Sequence, residues 1–304
     1  MRRLVLTNDV ETTSIINGGL REDTGIRVSE EGLPLLLDIY AKYHIKATFF
    51  FIANYARRHP EIVKMVQPAG HEVALHGLTH DHKKAFDTMP YEEQLRHLKE
   101  GKEILEDIAG EEVVSFRSPA LRVNADTPKA LSATGFKYDS SVAPQRLDMF
   151  MSLGSKNKMQ WLGAPRTPYE TSIDNLARKG HSGIIEVPVS SFGVPYIGTA
   201  MRVAPHLSRI TRNLVYLETK DSDKVVNFLI HPIELILEPK LNEKLERRSN
   251  NPLTYFLSDV LRHQLKLRNL GIPAVKLFED DIQYWCQHNY DFITIKQVYN
   301  ATKQ

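Results

Sequence analysis

A chain of 304 residues with 42% hydrophobic residues can bury a sizeable core as one large domain or two smaller ones, and this composition excludes a disordered chain. The 39 basic and 37 acidic residues leave a net charge of +2, which provides no electrostatic footprint for nucleic acid or an anionic membrane. A single cysteine, Cys286, excludes an intramolecular disulfide framework and a cysteine zinc knot. With no apolar run near the ~18 residues of a membrane span and no signal-peptide core after Met1, the expected location is the cytoplasm.

In chain order, Arg3 to Thr7 reads as a short strand that breaks into Asn8-Asp9-Val10-Glu11. In an extended segment Asp9 and Glu11 lie two apart, so their carboxylates share a side, although a polar loop after a strand looks the same. Ser29 to Tyr43 reads as a helix with Ser29 as N-cap, Lys46 to Ile52 as a doubly buried strand, and Tyr55 to Val66 as a second helix. The short strand Glu72 to Leu75 runs into His76-Gly77-Leu78-Thr79-His80-Asp81-His82. His-x-x-x-His places two imidazoles within reach of one cation. The plainer alternative is a strand ended by His76 and a solvated loop beyond it.

Pro90 to Ala109 reads as an amphipathic helix closed by Gly110, Val113 to Pro119 as a strand carrying Arg117, Thr127 to Thr134 as a helix, and Phe136 to Ser141 as a strand carrying Asp139. Val142 to Gly183 holds Pro144, Trp161, Pro165 and Pro168 without a period, an irregular insertion of the length kept for binding substrate. Ile184 to Ser190 is a strand. Val194 to Tyr216, with Tyr196 and His206, forms either a second cleft wall or packing against the sheet. Val225 to Pro232 is a buried strand with His231 at its carboxyl end, and Lys240 to Asn251 a charged loop. Leu253 to Leu270 and Asp280 to His288 read as helices, Phe292 to Ile295 as a last strand, and a terminal helix starts at Lys296.

Strands alternating with helices over short joints predict parallel βαβ units, in an open sheet or a closed barrel, whose reactive groups gather at the strands' carboxyl ends. Asp9, His76, Arg117 and Asp139 all stand at such ends. With no repeat or linker, the expectation is one domain over residues 1–304, with the insertion at about 142–183 and a C-terminal helical extension at about 253–290.

The ordered set Thr7-Asn8-Asp9-Val10-Glu11, His76-Gly77-Leu78-Thr79-His80, Phe116-Arg117-Ser118-Pro119, Tyr138-Asp139-Ser140-Ser141, Glu186-Val187-Pro188-Val189-Ser190 and Leu229-Ile230-His231-Pro232 resembles the polysaccharide deacetylase family, the NodB homology domain of family 4 carbohydrate esterases. The resemblance implies an irregular (β/α) barrel, a divalent metal that is commonly zinc, and hydrolysis of an N-acyl group from an amino sugar. It implies His76 and His80 as imidazole ligands, Arg117 as the residue that orients the base, and His231 as general acid. The family's usual first motif is Thr-Phe-Asp-Asp-Gly, base then ligand, and this chain departs from it: Val10 stands where the second Asp would be. On the acid-x-acid pattern of some branches, Asp9 is the base and Glu11 the ligand. A swapped assignment, Asp9 on the metal with Asn8 in the base's place, stays open.

The substrate class expected is an N-acetyl or N-formyl amino sugar, as a lipid-linked or nucleotide-linked intermediate rather than an exported polymer, met without a transmembrane segment and at most at a membrane's periphery. Two alternatives are a non-sugar amide hydrolase on the same scaffold, like the metal-independent allantoinases, and a catalytically silent relative that binds a glycan or protein. Asp139 reads as a turn-fixing carboxylate, and His71, His82 and His206 as surface or core histidines.

Overall fold

The structure, a computed structural model, describes residues 2–16, 19–81, 84–145, 159–237 and 262–298. Strand β1 (Arg3–Val10) is buried along its whole length and is the hub. It pairs in parallel with β11 (Val225–Ile230) along one side, while on the other β12 (Asp291–Phe292) takes its first residues and β2 (Thr48–Phe51) its last. Beyond β2 the sheet continues, still parallel, through β3 (Glu72–Leu75), β4 (Ser115–Phe116), β5 (Tyr138–Asp139) and β8 (Ile185–Glu186).

The sheet curls into a half-barrel with helices outside it. Its two faces follow the period of two: Val5, Phe50, Ala74, Val114 and Val187 form a cluster inside the curl, while Leu4, Leu6, Phe49, Phe51 and Leu75 join the larger cluster shared with the helices. Between β8 and β11 the gap is bridged by individual hydrogen bonds rather than a ladder, Asn227 Nδ2 donating to Val187 O at 3.0 Å among them. Ser190 N–H donates to Asn227 O at 2.9 Å, and Asn227 N–H to Ser190 Oγ at 3.0 Å.

The structure corrects several sequence-based boundaries. The first helix begins at Glu22, not Ser29: α1 (Glu22–Arg27) passes through a π-helical turn (Val28–Gly32) into α2 (Leu33–Lys42). Ser29 is no cap, since its hydroxyl donates back to Gly25 O at 3.0 Å and meets Tyr55 Oη at 2.8 Å. Gly25 reads as a loop residue but serves close approach, since a Cβ there would collide with Thr12 and Tyr55. The expected helix from Tyr55 to Val66 is two, α3 (Ala53–Arg58) and α4 (Glu61–Val66), because Pro60 drives His59 out of the helical region.

Helices α5 (Tyr91–Ala109) and α6 (Thr127–Ala133) lie where expected. The stretch read as an irregular insertion contains a hairpin, β6 (Tyr169–Ser172) and β7 (Asn175–Lys179), added antiparallel to β8, so the sheet is mixed rather than wholly parallel. After the short antiparallel pair β9 (Ser191–Phe192) and β10 (Val194–Pro195) come α7 (Gly198–Val203) and α8 (Pro205–Thr219). The charged loop Lys240 to Asn251 and most of the helix read at Leu253 to Leu270 fall outside the described residues, which take up the chain again at α9 (Arg262–Lys266). The next helix starts well before Asp280: α10 (Ile272–Gln287) opens on Gly271-Ile272-Pro273, with proline in its first turn. Helix α11 (Ile295–Val298) follows β12. Among the described residues no helix is long and apolar enough to cross a membrane.

Gly110 ends α5 in the left-handed region at φ 68°, and a Cβ there would meet nothing within 4 Å. Its replacement tests backbone conformation alone. Gly110→Ala is expected to lower stability by about 1 kcal/mol, read as a lower urea midpoint at unchanged m-value.

Candidate active site

The site grows out of the carboxyl ends of the parallel strands. Asp9 and Glu11 point the same way, as the extended register requires, while Asn8 and Val10 turn to the opposite face. Asn8 Nδ2 donates to Thr48 O at 3.1 Å and its Oδ1 accepts from Tyr40 Oη at 2.7 Å, so it is held among the helices, away from Asp9's carboxylate. Val10 is fully buried in the outer cluster. The arrangement in which Asn8 stands in a base's place therefore has no geometric support.

Asp9 is buried against Arg117. Arg117 Nη1 donates to Asp9 Oδ1 at 2.9 Å, Nη2 to Thr7 Oγ1 at 3.0 Å and Ser140 Oγ at 2.7 Å, and Nε to Ser140 O at 2.8 Å. The guanidinium also lies over the Phe50 ring, 4.4 Å from its centroid. Ser140 Oγ receives Asn227 Nδ2 at 3.0 Å and donates to Val187 O at 2.8 Å, so one polar layer links β1, β11 and the exits of β4, β5 and β8.

Opposite Asp9 the histidines converge. His76 Nδ1 lies 2.9 Å from Arg117 O. A carbonyl only accepts, so this contact puts the proton on Nδ1 and leaves the Nε2 lone pair facing inward. His76 Nε2 is 3.7 Å from Asp9 Oδ2 and 3.8 Å from Glu11 Oε2. His80 Nε2 approaches Glu11 Oε2 to 2.6 Å, and its Nδ1 lies 3.3 Å from the Thr13 hydroxyl. Yet Glu11 Oε2 is buried and receives no hydrogen bond of acceptable geometry among the described residues. Glu11, His76 and His80 each offer one ligand atom, all within 4.8 Å of one another. Two imidazole nitrogens and a carboxylate oxygen closing on one point is a donor set that fits a divalent cation.

His231, at the exit of β11, stands across from them. Its Nε2 is 3.9 Å from both Asp9 Oδ2 and Glu11 Oε1. Burial works against a charge on Glu11, but the His80, His76 and His231 rings around it hold its carboxyl well below the usual range. Burial likewise opposes protonation of His231, and the neighbouring Glu234, Glu11 and Asp9 outweigh it, raising the ring to about 9.

Other residues singled out in the sequence are structural. Asp139 turns into its own loop, Oδ2 accepting Ser141 N–H at 3.0 Å and Oδ1 the Ser141 hydroxyl at 2.8 Å. His71 is a core residue whose Nδ1 accepts Ala47 N–H at 3.1 Å, and burial with Lys46 nearby pushes it down to about 4. Tyr196 and Trp161 are buried packing residues, His206 is exposed, and His82 lies outside the described residues. Sequence reasoning missed Glu234, which contacts His231 from behind; a carboxylate three positions after the histidine was the only signal.

A family model described as polysaccharide deacetylase matches residues 22–138, a stretch that takes in His76, His80 and Arg117. Over that stretch the chain is similar to the polysaccharide deacetylase family. The peptidoglycan deacetylase of Helicobacter pylori is 34% identical over 118 residues, 39% of this chain and 39% of that protein. The chitooligosaccharide deacetylase of Rhizobium leguminosarum is 34% identical over 65 residues, 21% of this chain and 30% of that one. The chain spans less than half the length of these curated relatives. Among solved structures, a Mycobacterium smegmatis protein classed with the polysaccharide deacetylases superposes with a TM-score of 0.66 at 19% identity, covering 99% of this chain and 90% of that one. An allantoinase superposes with a TM-score of 0.62 at 14% identity, covering 97% and 88%. At such identities the superpositions establish the deacetylase-type barrel and no more.

Arg117 and Asp9 are a buried charge pair, so removing one partner strands the other. Arg117→Met is expected to cost about 3–5 kcal/mol, and adding Asp9→Asn to the same chain to recover part of that loss. Urea unfolding of the three proteins checks both signs.

Proposed function

We propose that the protein is a metal-dependent hydrolase that removes an N-acetyl or N-formyl group from an amino sugar. One observation supports this above the rest: the Arg117 carbonyl fixes the His76 ring so that its Nε2 lone pair, with His80 Nε2, meets a buried Glu11 oxygen that receives no aligned hydrogen bond. Such a set suits a cation better than a hydrogen-bond network, and it favours this reading over a metal-independent amide hydrolase. The names of the relatives, peptidoglycan and chitooligosaccharide deacetylases, support an N-acylated amino sugar as substrate.

In this reading Glu11, His76 and His80 would hold a divalent cation, zinc by the chemistry of the donors. When bound, such an ion polarises an acyl carbonyl and lowers the pKa of water toward ~7. Asp9 would accept the proton of the attacking water, its other oxygen pinned by Arg117 so that the carboxylate is aimed. An amine leaves poorly as an anion. His231, on the far side of the acids, would therefore protonate the departing nitrogen as the carbon–nitrogen bond breaks.

The test is release of acetate or formate from a panel of N-acylated amino sugars, offered free, as oligomers, and linked to lipid or nucleotide. Release is expected to stop with a chelator and return with Zn²⁺. His76→Ala and Glu11→Gln should lose both bound metal, measured by elemental analysis, and turnover; full turnover in metal-stripped protein removes the proposal. Asp9→Asn is expected to keep the metal and lose about 10²- to 10⁴-fold in kcat, which separates base from ligand.

A further inference from the structure

Behind His231 the chain has built a second carboxylate site. Glu234, on the 3-10 turn Pro232–Leu235 that follows β11, is only 2% exposed. Its Oε2 accepts the His231 backbone N–H at 3.2 Å and lies 3.5 Å from His231 Nδ1. Its Oε1 is clamped from the other side, by the Thr199 hydroxyl at 2.6 Å and by Arg202 Nη2 at 2.8 Å and Nε at 3.2 Å. Arg202 is itself buried, with Nη1 donating to Lys266 O and Arg268 O at 2.8 Å each. Glycine at 198 permits this approach, since a Cβ there would collide with Glu234 Oε2. Burial alone would favour a neutral Glu234, and Arg202 with His231 holds it well below the usual carboxylate range.

An ionised carboxylate costs several kcal/mol to bury, and it persists only where charged and polar donors surround it. Here a guanidinium, a hydroxyl and a backbone amide fix the carboxylate where it faces one nitrogen of a ring. The ring's other nitrogen faces Asp9 and Glu11. We infer that Glu234, locked by Arg202 and Thr199, is the positioning residue that holds the His231 ring with Nε2 toward the reacting centre.

This rests on the reading of His231 as the proton donor. In amide hydrolysis the water oxygen bonds to the acyl carbon, the water proton goes to Asp9, and the carbon–nitrogen electron pair passes to nitrogen. That nitrogen takes its proton from His231 Nε2, and the proton on Asp9 returns to His231 through solvent before the next turnover. Glu234 anchors Nδ1 throughout, at a separation that is long for a hydrogen bond and of the kind that tightens with substrate bound. A carboxylate that orients a histidine in this way acts only on the step in which the leaving group needs a proton.

The experiment compares two substrates in the metal-loaded enzyme: an N-acetyl amino sugar, whose amine must be protonated, and 4-nitrophenyl acetate, whose phenolate leaves without a proton. Glu234→Gln is expected to lose about 10²-fold in kcat on the amide, within the range of general-acid catalysis, with KM within about twofold and a loss on the ester at least tenfold smaller. Because Glu234→Gln strands Arg202, a Glu234→Gln, Arg202→Met double variant repeats the measurement with both buried charges removed. An equal loss on the two substrates, or no loss on the amide, overturns this inference alone. Wild-type protein that cleaves neither substrate overturns the hydrolase reading and this inference with it.

Discussion

The pairing of Arg117 with Asp9 is what joins the site to the fold. Two ions taken out of water each cost several kcal/mol, and they persist inside a barrel only where geometry and further hydrogen bonds offset that cost. Arg117 places donors on Asp9, on Thr7 and twice on Ser140, and lies on the face of Phe50. Asp9 therefore has little freedom: β1 sets its height and face, and Arg117 sets its angle. The same arginine offers its own carbonyl to His76 Nδ1, so one residue orients a carboxylate with its side chain and an imidazole with its backbone.

The barrel interior is layered around that pair. Below it, Glu72 is buried and held by the Thr48 hydroxyl at 2.8 Å, the Ser115 hydroxyl at 2.5 Å and the Lys296 amide at 3.0 Å, with its pKa raised by burial. This acid docks the start of α11 against the strands. To one side, burial pushes Asp139 and Glu186 up, and the neighbouring Asp139 raises Glu186 further. Serine and asparagine do the closing where the strands do not pair, through Ser140, Ser190 and Asn227. A polar interior of this kind specifies register: sliding any strand by one residue would leave several buried groups unpaired.

The residues at strand ends were legible because period two and the βαβ rhythm are local patterns that survive in sequence. Asp9 with Glu11, His76 with His80, and the exits carrying Arg117 and His231 needed only the assignment of strands. What failed was either tertiary or finely local. Ser29 has the composition of a cap, but Glu22 and Asp23 already supply acids to an earlier first turn. Pro60 was visible and splits a helix as proline should. The Gly271-Ile272-Pro273 opening of α10 was visible too, but the apolar period drew attention further on. The hairpin β6–β7 lies in a stretch with too much proline to show alternation. Glu234, Arg202 and Thr199 come from three elements, and no spacing in the chain announces that they meet.

The departure in the first motif has a physical reading in the same terms. Because strand side chains alternate, a carboxylate at position 10 would share Val10's direction if β1 stayed regular, and β1 is regular: it pairs residue by residue with β2 through Val10 and Phe51. Val10 accordingly serves the outer core, where it is fully buried. The next inward-facing position is 11, one residue past the end of the strand. A glutamate has one methylene more than an aspartate, and from position 11 that stem carries its carboxylate back to within 2.6 Å of His80 and 3.8 Å of His76. A regular strand with an acid at every second position and the longer acid last thus gathers two carboxylates and two imidazoles without bending the backbone of β1.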